Sequence, residues 1–258
     1  MCVIAFAYKM PALGQLTLLA NRDEYYARPT APLDFWPDQP NILGGRDLRA
    51  GGSWLAINSN GRFCAITSIR EGHAKTAERS RGELVQRFVS EDVKTLDFAR
   101  SLAEERQHYG PFNLLFGMTD DLYHYHSRSG QLTRVTPGIH TLSNATLDTR
   151  WFKCENLEQH LRGLGRMPAE ADAFDWLADP TQAPTERMPN TGIGLALERQ
   201  LSSIFVSARD YGTCCSTLLT VSGRGDIAFA ERSFGLAGRE TGRRRYTLRP
   251  GQSAPVNR

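Results

Sequence analysis

Two features near the start of the chain leave little freedom for the remainder of it. Cys2 begins a β-prone apolar run, Val3–Tyr8, and the tetrapeptide Asn21-Arg22-Asp23-Glu24 closes a second run, Gln15–Ala20. Between them lies the breaker-rich stretch Lys9-Met10-Pro11-Ala12-Leu13-Gly14. Two such runs around Pro and Gly read as a hairpin. With the turn centred near Ala12, residues whose numbers sum to 24 face each other. That register predicts Cys2 opposite Arg22, with Asp23 next along.

The pairing has chemical content. Removal of Met1, which the small Cys2 side chain permits, leaves a thiol and a free α-amine on one residue. An α-amine titrates at roughly 7.7–8.0 and so can act as a base near neutral pH. A neighbouring guanidinium favours thiolate, and a neighbouring carboxylate can orient the ammonium. Nucleophile, base and orienter would then be gathered in one hairpin, as an N-terminal nucleophile requires. A plain reading stands beside this one: a small buried cysteine next to a solvated ion pair.

Composition narrows the class. The 258 residues can bury a sizeable core, and 40% hydrophobic with 23% charged content is ordinary for a globular protein. A net charge of +3 gives no reason to expect nucleic acid. The positive charge is nearly all Arg, with Lys only at positions 9, 75, 94 and 153. No apolar run approaches the ~20 residues that span a bilayer, so stable membrane insertion is not expected. Val3–Tyr8 is too short for a signal-peptide core, and no basic segment precedes it. The five cysteines (Cys2, Cys64, Cys154, Cys214, Cys215) show no disulfide-scaffold spacing. A reducing, cytoplasmic setting is the expectation, and it suits a working thiol.

Along the chain, Arg28–Pro40 reads as a Pro-containing extended loop packed on Phe35 and Trp36. Gly44–Gly52 is Gly-rich but runs into a strand, Ser53–Ile57; a phosphate-cradling loop would run into a helix. Arg62–Ile69 is a further strand, and Arg70–Thr76 a polar linker. Ser80 and Glu83 form a capping-box pattern before Leu84, Val85, Phe88 and Val89. A second helix is predicted over Val93–Gln107, with Leu96, Phe98, Ala99, Leu102 and Ala103 on its apolar face. Strand patterns appear next at Phe112–Gly117, Leu122–His126 and Leu132–Thr136. Helical ones come after them at Trp151–Leu164, Ala171–Leu177 and Leu195–Ser203, and Cys214–Val221, Ile227–Phe234 and Arg245–Leu248 close as strands. No repeat or clear linker divides the chain, so one domain over 1–258 is expected. Strands joined to strands by short turns do not alternate as a βαβ series would. The class is α+β, with mainly antiparallel sheets and helices on their outer faces, compatible with a four-layer αββα sandwich.

The motifs resemble a known family. Met-Cys before an apolar run and Asn21-Arg22-Asp23-Glu24 before Arg28-Pro29 are similar to the NRDE family, also called the transport and Golgi organisation protein 2 family. The likeness continues through Gly44-Gly45-Arg46-Asp47, Gly51-Gly52-Ser53-Trp54-Leu55, Ser80-Arg81-Gly82-Glu83 and Phe112-Asn113-Leu114-Leu115. It extends to Gly138-Ile139-His140, Leu142-Ser143-Asn144-Ala145, Tyr211-Gly212-Thr213 and Glu231-Arg232. That family in turn resembles Ntn-fold cysteine hydrolases such as choloylglycine hydrolases and penicillin V acylases. The resemblance implies an Ntn-hydrolase-like four-layer αββα sandwich of two mainly antiparallel sheets. It also implies acyl transfer on an amide or an acyl-CoA-like thioester, with Cys2 as nucleophile, Arg22 and Asp23 beside it and Asn144 as an oxyanion donor. Asn21, Glu24, Ser68 and Cys214 are further candidates for oxyanion or substrate contacts.

Two positions depart from that pattern. Thr67-Ser68 stands where relatives commonly carry Thr-Asn, and a hydroxyl lacks an amide's donor geometry. Cys214 comes after Tyr211-Gly212-Thr213 where relatives commonly carry Arg. Adjacent cysteines in a regular strand point to opposite faces, so Cys214-Cys215 reads as packing. The family has also been linked to haem and acyl-CoA or lipid homeostasis, which implies a rival reading as a carrier of haem or acyl-CoA. His124 and His126 share a strand face and His140 lies in a loop, as imidazoles that haem ligation would need. No carboxylate or Cys close by in sequence completes a metal set, which favours a hydrogen-bonded strand pair. No cofactor is required in the hydrolase reading, and a small-molecule substrate or ligand is the expected partner. Arg239, Arg243, Arg244, Arg245 and Arg249 read as a solvated edge strand.

Overall fold

The computed structural model describes residues 2–72 and 77–251. Strands β1 (Cys2–Met10) and β2 (Gly14–Tyr25) form the opening hairpin, followed by β3 (Thr30–Trp36), β4 (Gln39–Asp47), β5 (Leu55–Asn58) and β6 (Arg62–Ser68). Helices α1 (Gly82–Ser90) and α2 (Thr95–Glu105) lead to β7 (Phe112–Met118), β8 (Asp121–His126), β9 (Gln131–Arg134) and β10 (Gly138–Leu142). Then come α3 (Phe152–Arg162), α4 (Glu170–Leu177), α5 (Leu195–Gln200), β11 (Tyr211–Val221), β12 (Ile227–Phe234) and β13 (Glu240–Leu248). One sheet has the order β10-β1-β2-β11-β12-β13 and the other β3-β4-β5-β6-β7-β8-β9. Neighbouring strands in both are antiparallel.

Strand parity builds the layers. In β1, Ile4, Phe6 and Tyr8 point between the sheets and meet Leu43, Ile57, Phe63 and Leu115 of the second sheet. Val3 and Ala5 point outward, under Cys154, Leu157 and Leu161 of α3 and Phe174 of α4. On the far side, Leu84, Val85 and Phe88 of α1 and Phe98 and Leu102 of α2 cover Ala56, Cys64 and Phe116. Three apolar interfaces separate four layers: the architecture is the expected αββα sandwich of two antiparallel sheets. Both faces of β1 are buried, which is why its sequence is apolar at every position from Val3 to Tyr8.

Several local expectations change. Arg28–Pro40 is not a loop: most of it is edge strand β3, with Pro32 tolerated where the pairing to β4 breaks register between Ala31 and Asp34. The capping box does not form. Helix α1 begins at Gly82 with no side-chain cap bond, and Glu83 is held by Arg79 instead. In α2, Phe98, Ala99 and Leu102 are buried, whereas Leu96 and Ala103 are exposed, so the apolar stripe is narrower than predicted. Strand β10 carries no strand pattern in its sequence; its five residues come after Pro137 and are too few to show alternation. Residues 73–76 of the predicted linker lie outside the described residues.

One pair of glycines has a positional reason. A Cβ on Gly52 would lie 2.3 Å from the Gly82 carbonyl carbon, and one on Gly82 2.9 Å from the Ser53 carbonyl oxygen. The lack of a side chain at both lets the first turn of α1 dock against the β4–β5 connection. Deeper in that layer, Phe88, Phe98 and Phe116 form a triangle of edge-to-face contacts with centroids 5.0–5.8 Å apart. Phe116→Ala should lower unfolding free energy by about 3–5 kcal/mol, read as a lower denaturant midpoint at unchanged slope.

Candidate active site

The register summing to 24 is the one observed: Cys2 pairs with Arg22, Val3 with Asn21 and Met10 with Gly14. Parity then sends Cys2 and Arg22 into the space between the sheets, in line with Ile4 and Ala20. Asn21 and Asp23 turn to the helix face. At this end the inter-sheet layer is not filled by side chains. It opens as a cleft of ≈ 460 Å³ bordered by Cys2, Arg22, Trp54, Ser68, Arg81 and Pro111, among others. Cys2 is half-buried, and its carbonyl accepts a 2.7 Å hydrogen bond from Ser143 Oγ.

Arg22 is 7% exposed and lies over the Trp54 ring at 4.3 Å. Its Nη1 donates to Thr30 Oγ1 at 3.3 Å, and Nη2 is 3.9 Å from Glu24 Oε2. Stacking and one loose carboxylate hold the guanidinium while leaving it charged beside the thiol's strand position. Glu24 also lies 3.9 Å from Arg28, whose Nε and Nη2 clamp Asp47 at 2.9 and 2.5 Å. Arg28 carries the Asp47 carboxyl below its usual range despite burial, which pulls the other way.

Asp23 borders the same cleft from the helix side. Its Oδ1 accepts from Thr213 Oγ1 at 2.8 Å, and the Tyr211 hydroxyl donates to its carbonyl at 2.9 Å. Burial raises its pKa, opposed by the positive charges of Lys153 and Arg70 and by the Thr213 hydrogen bond. Asp23 thus sits where burial and cations compete over one proton.

The remaining candidates separate. Ser68 lines the cleft, at the end of β6. Asn144 lies behind it: its Nδ2 donates to the Ser68 carbonyl at 2.8 Å, and its Oδ1 accepts from Arg70 Nη2 at 3.4 Å and lies 3.3 Å from Ser143 Oγ, whose proton goes to the Cys2 carbonyl. In this geometry Asn144 stands behind Ser68, its Nδ2 also 3.5 Å from Ser68 Oγ, and Ser68 is the one of the two that borders the cleft. Asn21 is a bracket: its Nδ2 donates to the carbonyls of Leu177 and Ile204, and its Oδ1 accepts from Ser216, all away from the cleft.

Cys214 also moves. The β2–β11 ladder skips it, with Thr213 opposite Asp23 and Cys215 opposite Arg22. This bulge overturns the expectation of opposite faces: both cysteines line a second cleft of ≈ 380 Å³ with Glu231, on the other side of Arg22 and Trp54. Burial pushes the Cys214 thiol up to about 11, and its Sγ lies 3.5 Å from the Glu24 carbonyl.

The histidines have structural partners. His124 is held neutral, its pKa pulled to about 4 by burial, and its Nε2 lies 3.0 Å from Asn113 Oδ1. Asn113 Nδ2 in turn donates to Thr67 Oγ1 at 3.2 Å and to the Ala145 carbonyl at 2.7 Å, while Thr67 Oγ1 donates to the Ser143 carbonyl at 2.5 Å. A chain of hydrogen bonds therefore runs from His124 to the turn that pins Cys2. Sequence reasoning missed this role, and it missed Trp54, Arg81, Ser143 and Lys153. Trp54 and Ser143 are visible in the sequence only as members of family motifs. Arg81 and Lys153 give no periodic signal.

His140 donates from Nδ1 to Asp148 Oδ2 and from Nε2 to the Thr136 carbonyl, each at 2.8 Å, which requires the doubly protonated ring. Burial lowers its pKa, but those two acceptors win and the net shift is upward; Asp148 shifts downward. The histidine's contribution is complete below its unfolded pKa and fades as pH rises through the folded value. The aspartate's contribution is complete above its unfolded pKa and fades as pH falls through the folded value. The melting-temperature loss of His140→Gln should therefore be largest between about pH 4.5 and 6 and shrink on the alkaline side, as thermal scans across pH would show.

The chain also has a place among known proteins. A family model described as Transport and Golgi organisation 2 matches residues 1–235. The Transport and Golgi organization protein 2 homologs of Bos taurus and Homo sapiens are each 32% identical over 256 and 257 residues, covering 90% of this chain and 93% of either relative. The Drosophila melanogaster protein is 32% identical over 127 residues, 45% of each chain. Among solved structures, the C2A mutant of a conjugated bile acid hydrolase from Clostridium perfringens aligns over 100% of this chain and 99% of that one, at 10% identity and a TM-score of 0.48. A Caenorhabditis elegans ortholog of N-acylethanolamine-hydrolyzing acid amidase aligns over 85% and 92%, at 10% identity and a TM-score of 0.42. With its family model spanning residues 1–235 and relatives 32% identical along nine-tenths of its length, the chain belongs to the Transport and Golgi organisation 2 family.

Proposed function

We propose that this protein is an N-terminal-cysteine acyl-transfer enzyme of the Ntn type, acting on an amide or an acyl-CoA-like thioester. The observation that carries the reading is a half-buried Cys2 at the border of an open cleft, paired in register with a cationic Arg22 that stacks on Trp54.

Once Met1 is removed, the Cys2 α-amine takes the thiol proton as sulfur attacks the substrate carbonyl. The carbonyl π electrons move to oxygen, where Ser68 offers a hydroxyl donor from the cleft wall and Arg22 a positive field. Collapse expels the amine or thiol leaving group, which takes the proton back from the ammonium. Water then attacks the thioester on Cys2, the amine again serving as base, and a carboxylic acid and free thiol result. Asp23 orients the ammonium formed in each half-reaction.

Intact mass of the purified protein reads whether Met1 is gone. Exposed to a panel of amides and thioesters, the processed protein should gain the mass of an acyl group on Cys2, and Cys2→Ala should gain none. Cys2→Ser should turn over roughly 10³-fold more slowly or worse. A processed protein that is never acylated, yet binds haem or acyl-CoA stoichiometrically, overturns the enzyme reading in favour of a carrier.

A further inference from the structure

Lys153 is one of four lysines in a chain that otherwise uses arginine, and it is 1% exposed. Its Nζ has no hydrogen-bond acceptor among the described residues. A buried lysine without an acceptor is costly, and nothing in the packing of α3 asks for a charge at this position. Lys153 precedes Leu157 by one helical turn, on the stripe with Leu157 and Leu161 that packs over Val3 and Ala5. The helix begins beside the site, where Arg70 stacks on Trp151 at 4.7 Å and reaches Asn144. Asp23 turns its side chain into the same layer, between the sheet and the helices.

We propose that Lys153 is a positioning residue for Cys2: its ammonium keeps the buried Asp23 ionised, so that Asp23 can hold the amine of residue 2 while that amine exchanges protons with the thiol. The inference rests on the role assigned to Cys2 above. The charges that face Asp23 include Lys153 from α3 and Arg70 from the segment after β6; those acting on Lys153 are Asp23, Arg70, Cys154 and Cys2. Arg70 is already committed to Glu198 at 2.7 Å, both side chains buried. Lys153 Nζ makes no hydrogen bond among the described residues, so its charge is not taken up by an acceptor there. When the α-amine is neutral and ready to act as base, its own charge no longer supports Asp23, and Lys153 supplies what is missing. Lysine brings to this post a compact point charge on a flexible stem. Burial does lower the Lys153 pKa, with Asp23 opposing.

The test compares Lys153→Met and Lys153→Gln with the unsubstituted protein, each with Met1 removed. Two quantities are read: infrared absorption of protonated carboxyl groups, and the pH dependence of Cys2 alkylation by iodoacetamide followed by mass. Both variants are expected to show a protonated-carboxyl band at neutral pH that vanishes when Asp23→Asn is added. The acidic limb of Cys2 alkylation should move to higher pH by about one to three units. A spectrum without the new band, or a limb that stays in place, overturns the assignment and leaves Lys153 as filling. The Gln variant supplies the same two readouts should the Met variant not fold. Neither readout requires turnover, so a protein that never transfers an acyl group and a Lys153 that does not control Asp23 are told apart.

Discussion

The pairing of β1 with β2 is the constraint on which the other elements depend. Both strands are buried on both faces, so apolar parity alone does not forbid a slip of one residue. Charge does. A slip would turn Cys2 toward the helices and drive Arg22 into the apolar layer beneath α3, or Asp23 into the space between the sheets. Thr213, opposite Asp23, and Trp54, over Arg22, each fit one register only. The hairpin therefore fixes which layer receives the thiol and which receives the carboxylate.

Around this end of the sandwich the molecule concentrates its buried polarity. His124, Asn113, Thr67 and Ser143 form a connected hydrogen-bond chain to the Cys2 carbonyl. Arg70 and Glu198 form a buried ion pair, and the same Glu198 also accepts from the Thr191 backbone and hydroxyl at 2.8 and 2.6 Å. Buried ion pairs seldom add to stability compared with apolar replacements, whereas they fix geometry when all their members are satisfied. Farther along the inter-sheet layer the packing is mostly hydrocarbon, Leu16, Leu122, Val221 and Phe229 among it, with the Tyr8 hydroxyl accepting from the Leu122 N–H at 3.3 Å.

Much of this is legible in the sequence, for identifiable reasons. The hairpin register can be read because a short turn leaves few alternatives and the two runs have nearly equal length. The class can be read because most strands follow strands across short turns. What escapes is information that sequence distance conceals. Asn144 and Ser68 are 76 positions apart and still one hydrogen bond apart, a closeness that no local pattern announces. Cys214 escapes because a bulge changes strand parity without leaving a glycine or proline to announce it. Strand β3 reads as a loop because its prolines outweigh its alternation, a conflict that an edge position resolves. Lys153 escapes because a charged residue on an apolar helical stripe looks like the stripe's end.

The two clefts meet at Arg22, Arg28 and Trp54, which belong to the lining of both. At that boundary a guanidinium rests on an indole, with Cζ 4.3 Å from the ring centroid. Side chains change rotamer in picoseconds to nanoseconds at exposed positions and more slowly when packed, while the backbone of a buried sheet stays fixed. Cys2 borders the first cleft and not the second, so on that side the wall nearest the thiol is made of side chains.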